Sequence, residues 1–443
     1  MLYRLHNNIF IIGLIAACFI CSWLVNSFDL MAAGTLLAFL SQMSLLLYFA
    51  NEKHVTYSER TLFVVVLIYS LLLGTVLMAI SYIYDGDTFM FTKTDAMLYY
   101  KGSMRAHDIG FLENVQYIMG KKAFEDWGSY FYDSLLMSII PSKFFLNFSY
   151  MLTGAISSVL LYRIGLHFMP QSYAFLSALA YGTSSFLIMF HCTFLKESLF
   201  VFLIICAMYN ICRGIHGESN FAYPFALLFV VVLFFFRPAV AIFVIMSFAV
   251  YIAVKQHGSA LSLFFYIAVA IGLVITIKYM SDMADRYTGS VDEKAEASGN
   301  AKAYSGGFIL FVNLFGGFFG PFPTLFTKHE TGPTAILFYG AGLSYRLFLI
   351  FPLLGGIYLI LRNKVLEFFP FIIFILVEML ATGMVSASLE LRKVMPHIPF
   401  TFLVSYYGLS KWQESQVLQR IPKVLIYGVA IGILVLWNIV KTK

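Results

Sequence analysis

Long apolar stretches alternate with short polar connectors along nearly the whole chain. A stretch of about 20 residues is long enough to cross a hydrocarbon core of about 30 Å. Because an unsatisfied backbone group is costly in lipid, such stretches should be helices. The apolar stretches are 9–28, 30–50, 61–82, 144–166, 172–194, 198–212, 221–236, 238–254, 260–280, 336–360, 368–389, 397–410 and 423–440. The pattern predicts an all-α, polytopic transmembrane protein with about 12–13 spans, forming a single integral membrane domain over residues 1–443.

Two longer interruptions divide this pattern. Residues 83–143 form a large loop with short helices between the third and fourth predicted spans, and 281–335 form a second loop. Within the second, the apolar segment 307–326 contains a glycine pair, Pro321 and Pro323, which would break a helix midway. We therefore expect 307–326 to be re-entrant rather than a span.

The charges of the short connectors predict the orientation. Placing the N-terminus inside puts their lysines and arginines on the inner side, in agreement with the positive-inside rule. These residues are Lys53, Arg60, Arg163, Arg213, Lys255, Arg362, Lys364, Lys411, Arg420 and Lys423. Both large loops then lie on the outer face.

The composition excludes an ordinary soluble protein. Of the 443 residues, 60% are hydrophobic and only 12% are charged, whereas soluble domains have about 25% charged residues. A net charge of +6 suits anionic lipids or a phosphate-bearing substrate equally well. The sequence contains no nucleotide-binding loop or nucleophile elbow. We expect membrane lipids as partners and no nucleic acid.

Metal-ligand spacing is weak in this sequence. Cys18 and Cys21 have the spacing of a redox or zinc pair, but they lie within an apolar stretch without a second pair. His107 and His191 also lack a ligand pattern. The sequence therefore predicts no metal-binding residues. It identifies no cofactor, and a divalent cation is left open as an alternative.

The first large loop is rich in carboxylates and aromatic residues. Of the 23 acidic residues in the chain, five aspartates fall within 83–130, which are Asp85, Asp87, Asp95, Asp108 and Asp126. Helical spacing places Asp95 and Tyr99 on one face. Asp95 is interpreted either as a helix cap or as a general base on a sugar hydroxyl, with Asp87 as a second candidate base.

Cationic residues at span ends could hold a phosphate. Lys196 and Glu197 open one span, and Arg237 ends another, where an arginine either anchors the helix at the interface or binds a phosphate bidentately. Arg346 lies inside a span, where a charge costs several kcal/mol unless it is paired or hydrated, and Glu378 could supply the pair. Arg392 and Lys393 form a basic cluster at a helix mouth that could bind a lipid headgroup or a diphosphate.

Several short motifs together resemble the polytopic glycosyltransferases of the GT-C superfamily. They are Asp95-Ala96-x3-Tyr100, Trp127-Gly128, FLKESLFVFLIICAMYN, Arg237-Pro238, GPFPTLF and LRKVMPHIPFTFLVSYYGL. The resemblance covers roughly residues 80–410. Within that superfamily, the motifs are similar to those of bacterial family-39-like transferases and oligosaccharide repeat-unit polymerases.

The resemblance implies a bacterial inner-membrane enzyme with a donor sugar or glycan on polyprenyl phosphate or diphosphate, and a glycan or lipid-linked acceptor. It implies a catalytic aspartate in the first outer loop, which would be Asp95 or Asp87, assisted by Lys196. The substrate-binding residues would be Tyr99, Tyr100, Arg105, Trp127, Glu197, Arg237, Arg346, Arg392 and Lys393. The loop lacks the adjacent Asp-Glu pair of mannosyltransferases, which leaves a metal requirement open.

Two other functions remain alternatives, a glycan ligase and a flippase or transporter of lipid-linked oligosaccharide. A transporter more often has two matching halves with broken helices in corresponding positions. The glycine-proline break at 316–323 has no counterpart in the sequence. A transferase or polymerase is therefore the favoured interpretation.

Overall fold

The computed structural model describes residues 30–51, 57–89, 93–255, 333–385 and 394–415, with a few isolated positions between 419 and 435. Within these ranges every regular element is helical and no strand occurs. The predicted spans 9–28 and 260–280, the segment 307–326 and most of 423–440 lie outside the described residues.

Outside the first large loop, the helices follow the apolar stretches closely. In chain order they are α1 Leu30–Asn51, α2 Glu59–Asp85, α3 Lys93–Ile109, α4 Phe111–Lys121, α5 Trp127–Ile139, α6 Lys143–Leu166, α7 Gln171–Gly182, α8 Ser185–Cys192, α9 Lys196–Ile215, α10 Ala222–Phe234, α11 Pro238–Lys255, α12 Pro333–Arg362, α13 Phe369–Val385 and α14 Ile398–Lys411. Short 3-10 turns occupy Phe124–Asp126, Leu366–Phe368 and Trp412–Glu414.

Several of these helices could cross a membrane. Among the described residues, four are long and apolar enough, namely Glu59–Ile83 within α2, and α6, α9 and α11. The bent pair α7 and α8 gives a fifth if it forms one span. The all-helical fold with apolar, membrane-compatible helices is confirmed, while the total number of spans and the orientation stay predictions.

A bend of 48° separates α7 from α8 in the middle of one predicted span. Two hydroxyls at the bend donate to carbonyls of the preceding turn, Thr183 Oγ1 to Leu179 O and Ser184 Oγ to Ala180 O, each at 2.7 Å. Such back-bonding bends helices. The side-chain amide of Gln42 also donates to Ala180 O, at 3.0 Å, so a side chain from α1 supports the broken region.

Glycine allows α12 and α14 to pack closely. A Cβ at Gly408 would lie 2.2 Å from Pro352 O, and one at Gly356 would lie 2.3 Å from Val404 O. Either contact is too short for any real carbon atom. Small residues of this kind let membrane helices approach backbone to backbone.

The polar stretch after α2 folds into three helices, α3, α4 and α5, which pack on one another and are called the loop helices below. The first turn of α5 is fixed to the turn between α10 and α11, because Gly128 N donates to Phe235 O at 2.8 Å. A Cβ at Gly128 would lie 2.3 Å from the Phe236 ring. The loop helices are thereby held beside Arg237.

Candidate functional site

The residues of interest converge where α3, the 3-10 turn before α5, the N-terminus of α9 and the α10–α11 turn meet. The group is called the Asp126 cluster and consists of Tyr99, Asp126, Lys196, Glu197 and Arg237. It joins two parts of the sequence about 70 residues or more apart, the loop helices and the ends of two apolar helices.

Asp126 is the centre of the cluster. Its Oδ1 atom accepts a hydrogen bond from Tyr99 OH at 2.9 Å and forms an ion pair with Lys196 Nζ. The ammonium also donates to Glu125 O at 3.3 Å. The Asp126 side chain is 28% exposed, so it is held by its partners and still reachable from solvent.

Glu197 and Arg237 form a second ion pair beside the first. Glu197 lies in the first turn of α9, where the helix dipole favours a carboxylate, and it is only 3% exposed. Arg237 Nη2 lies 3.6 Å from Glu197 Oε1, and the arginine side chain is 33% exposed. Its guanidinium carbon also lies 5.3 Å from the centre of the Phe200 ring. The arginine therefore balances a buried charge while keeping donors available to a ligand.

Tyr99 links the two ion pairs electrostatically. Burial raises the pKa of the Tyr99 hydroxyl, and the negative charges of Asp126 and Glu197 raise it further. The hydroxyl thus stays protonated and donates a hydrogen bond rather than acting as a base. The Tyr130 ring packs against it with ring centres 4.9 Å apart.

The cluster has the groups that a transfer reaction on a phosphate ester needs. Both contacts to Asp126 use Oδ1, and Oδ2 can accept a proton from a substrate hydroxyl. Arg237 and Lys196 are cations on the same side, and an arginine fork matches the geometry of a phosphate. A partly exposed carboxylate and two cations are thus grouped at one end of α9.

Two other residues predicted for the site, Trp127 and Arg105, lie at different distances along the chain from Asp126. Trp127 begins α5, is half-buried, and donates from its indole to Lys122 O at 3.1 Å, next to Asp126 in the chain. Arg105 is exposed and lies over the Tyr117 ring at 3.8 Å, a surface contact within the loop helices.

Tyr100 belongs to a neighbouring aromatic group rather than to the Asp126 cluster. Its ring stacks on Phe194 with centres 5.9 Å apart and packs against Phe89 at 5.8 Å. Lys143 Nζ sits over this group, 3.4 Å from the centre of the Phe89 ring and 5.8 Å from that of Tyr100. These rings surround a cation, which is a cation–π arrangement.

The two predicted catalytic aspartates lie at different places in the first large loop, and their roles stay predictions. Asp95 is in the first turn of α3, one turn before Tyr99, and is half-buried. Asp87 shapes the turn after α2, because its Oδ1 accepts from Phe89 N at 2.8 Å and its backbone oxygen accepts from Ser81 Oγ at 2.9 Å. The turn gives Asp87 a structural role whatever else it does.

Arg346 forms part of a different buried group, between α12, α13 and α14. His397 Nδ1 is paired with Glu378 Oε2, and the Glu378 charge acts on the buried Arg346. A charge inside a predicted span is thus accompanied by an opposite charge. Arg392 and Lys393, and the loop 281–335 up to residue 332, lie outside the described residues.

Sequence reasoning missed two carboxylates that the structure singles out. Asp126 was one of five loop aspartates with nothing in its spacing to distinguish it. Asp133 lies on α5, is fully buried, and accepts from Tyr150 OH at 2.8 Å on Oδ1. Among the described residues its Oδ2 has no hydrogen-bond partner. The signal was available, since Asp133 is the only charged residue within α5.

Burial makes Asp133 a source of pH-dependent stability. Desolvation raises its pKa well above the ordinary value, against the opposing effect of the Tyr150 hydrogen bond. The folded protein therefore holds this proton to higher pH than the unfolded chain does. The stabilisation is complete at low pH and is lost as pH rises from about 4 toward the raised pKa, by up to about 1.4 kcal/mol per pH unit.

We expect Asp133→Asn to flatten this dependence, because asparagine keeps the oxygen that accepts from Tyr150 and has no proton to lose. Thermal unfolding of the purified protein in detergent between pH 5 and 8 measures it. The exposed Asp108→Asn serves as the matched control and should follow the wild-type curve. Parallel curves for Asp133→Asn and wild type would contradict the assignment.

No family model, curated protein or solved structure matches this chain. The function must therefore be inferred from the Asp126 cluster itself.

Proposed function

We propose that the protein is a membrane glycosyltransferase or glycan polymerase that uses a sugar or glycan linked to polyprenyl phosphate or diphosphate, acting on the outer face of a bacterial cytoplasmic membrane. The observation that supports this most directly is the pairing of Asp126 with Lys196 beside the pairing of Glu197 with Arg237. It puts a partly exposed carboxylate next to two cations at the end of an apolar helix.

In this proposal Asp126 is the general base. The acceptor hydroxyl oxygen attacks the anomeric carbon of the donor, and the carbon–oxygen bond to the phosphate breaks. The phosphate leaves with the bonding electron pair, and the hydroxyl proton passes to Asp126. Asp95, one turn away from Tyr99 on α3, is the second candidate for this role.

The cations hold the leaving group. Arg237 offers a planar fork to the phosphate oxygens, and Lys196 adds a compact positive charge. Tyr99 remains a hydrogen-bond donor at the base. Trp127 supplies an apolar ring face of the kind that packs on the C–H face of a sugar, and it lies beside Asp126 in the chain.

One observation favours a flippase for lipid-linked oligosaccharide as the second candidate. The 48° break between α7 and α8 is an interrupted helix of the kind that transporters use at a binding site. The break is supported by Gln42 and lies in the apolar part of the fold.

Purified protein in proteoliposomes containing a labelled polyprenyl-diphosphate oligosaccharide separates the two functions. We expect the label to move into longer glycan and free polyprenyl diphosphate to accumulate. A labelled oligosaccharide that crosses the bilayer unchanged would instead identify a flippase. Proteoliposomes containing the Asp126→Asn variant give the background rate of label transfer.

A further inference from the structure

The end of α9 opposite to Lys196 carries a second cluster of ligand-bearing side chains. Three members, His167, Cys212 and His216, have ligand atoms close to one another, and Glu218 adjoins them through His167. Since α9 has 20 residues and an α-helix rises 1.5 Å per residue, this cluster lies about 30 Å from the Asp126 cluster. The two clusters therefore cannot act on the same atoms.

Helix geometry places two of the four side chains together. Cys212 and His216 are four residues apart at the C-terminal end of α9, so they share a face. Cys212 Sγ and His216 Nδ1 are 3.7 Å apart. His167 follows the last residue of α6, and its ring stacks on that of His216 with centres 4.2 Å apart and planes 22° apart.

A glycine turn returns the fourth side chain to the same point. Gly217 has a φ of 70°, a left-handed conformation that suits glycine. The chain then doubles back, and Glu218 N donates to Arg213 O at 3.0 Å. Glu218 Oε1 consequently lies 3.5 Å from His167 Nε2.

These separations are close to those of a tetrahedral metal site. Bonds of about 2.0–2.3 Å from zinc to nitrogen, oxygen and sulfur require ligand atoms about 3.3–3.6 Å apart. The histidine and cysteine ligand atoms lie within 4.8 Å of one another, and the two pairs given above are already near the required distance. Because an imidazole binds a metal in the plane of its ring, the two stacked histidine rings must rotate so that one nitrogen of each points at the ion.

We infer that His167, Cys212, His216 and Glu218 bind one Zn²⁺ ion that fastens the end of α6 to the turn after α9. A set of two imidazoles, one thiolate and one carboxylate suits zinc, which accepts nitrogen, sulfur and oxygen ligands in a four-coordinate site. Binding releases the thiol proton of Cys212 to solvent. His216 Nδ1, the atom 3.7 Å from Cys212 Sγ, is the ligand nitrogen, and metal binding replaces its contact with Cys212 O at 2.9 Å.

Cobalt titration of the full-length protein in detergent, after chelator treatment, tests this inference. We expect one equivalent of Co²⁺ to bind with a thiolate-to-cobalt charge-transfer band, and Zn²⁺ to displace it. Cys212→Ser should abolish the band, and His167→Ala should weaken binding by at least about 100-fold, more than the loss of an outer hydrogen bond would.

Two control variants locate the thiolate. Cys206→Ser removes a buried thiol from the same helix and should leave the band unchanged. The double variant Cys18→Ser, Cys21→Ser removes the pair with metal-like spacing and should also leave it unchanged. Loss of the band in the double variant, its persistence in Cys212→Ser, or the absence of metal binding by the wild-type protein would each overturn the inference. In the last case the cluster is an ion-pair network of His167 and Arg213 with Glu218.

Discussion

Asp126→Asn is expected to lower glycan transfer by about 10²–10⁴-fold, the range for losing general acid–base assistance. Asparagine keeps the shape of the side chain and an oxygen for the hydrogen bond from Tyr99, but it cannot take a proton at neutral pH. It also removes the charge that pairs with Lys196. The measurement is the rate of elongation of a lipid-linked glycan in membranes, normalised to the amount of folded protein.

Two aspartates in the same loop helices make the test selective. Asp95→Asn removes the other candidate base, and Asp108→Asn removes an exposed carboxylate near the end of α3. We expect both to retain most of the wild-type rate. A severe loss in Asp95→Asn beside a near-normal Asp126→Asn would transfer the role of base to Asp95. Near-normal rates in all three variants would remove the loop from the chemistry and favour the flippase.

Arg237→Lys is expected to lower the same rate by roughly 10–100-fold, the equivalent of one charge-assisted hydrogen bond of about 1.5–3 kcal/mol. Lysine keeps the positive charge beside the buried Glu197, so the protein should still fold and accumulate. It loses the planar fork that binds two phosphate oxygens at once. The initial rate at saturating donor and the apparent affinity for the donor should be measured together.

Arg105→Lys is the matched control for this change. Arg105 is exposed and lies over the Tyr117 ring rather than near the cluster, so its replacement should leave the rate within about twofold of wild type. An Arg237→Lys variant with the wild-type rate and affinity would show that Arg237 only anchors its helix and balances Glu197.

The general fold could be predicted from sequence because lipid imposes a simple requirement. An apolar stretch of sufficient length must satisfy its own backbone groups, so α2, α6, α9 and α11 coincide with predicted stretches. The break between α7 and α8 was not predictable in the same way. It depends on Thr183 and Ser184 bonding to carbonyls of the preceding turn, and most hydroxyls inside helices do not interrupt them.

The candidate site was predictable only in part. Lys196, Glu197 and Arg237 stood out because each is a charge at the end of an apolar run, and the structure brings all three together. The partner of Lys196 could not be read from the sequence, because it depends on how the loop helices fold over α9. Asp95 matched a motif, whereas the contacts of Asp126 with Tyr99 and Lys196 could be seen only in the structure.

The metal-ligand cluster shows the same limitation for a different reason. Cys212 and His216 have a recognisable spacing, but His167 lies 45 residues earlier along the chain, as the residue numbers give. The parallel packing of α6 and α9, with both C-termini at one end, brings the two positions together. The spacing of neighbouring residues in the sequence therefore identifies Cys212 and His216 as a pair but does not connect them with His167.

The hydrogen bond from Gly128 N to Phe235 O should allow the protein to tolerate a break in its backbone before α5. It fastens the start of α5 to the far half of the sequence, so continuity of the backbone before α5 is not what keeps α5 in position. The exposed Lys121 lies just upstream, as the last residue of α4 before the connection to the 3-10 turn. A chain divided after Lys121 and produced as two polypeptides should therefore reassemble, with residues 122–443 retaining α5 against Phe235 and Phe236 in the absence of a covalent link to α4.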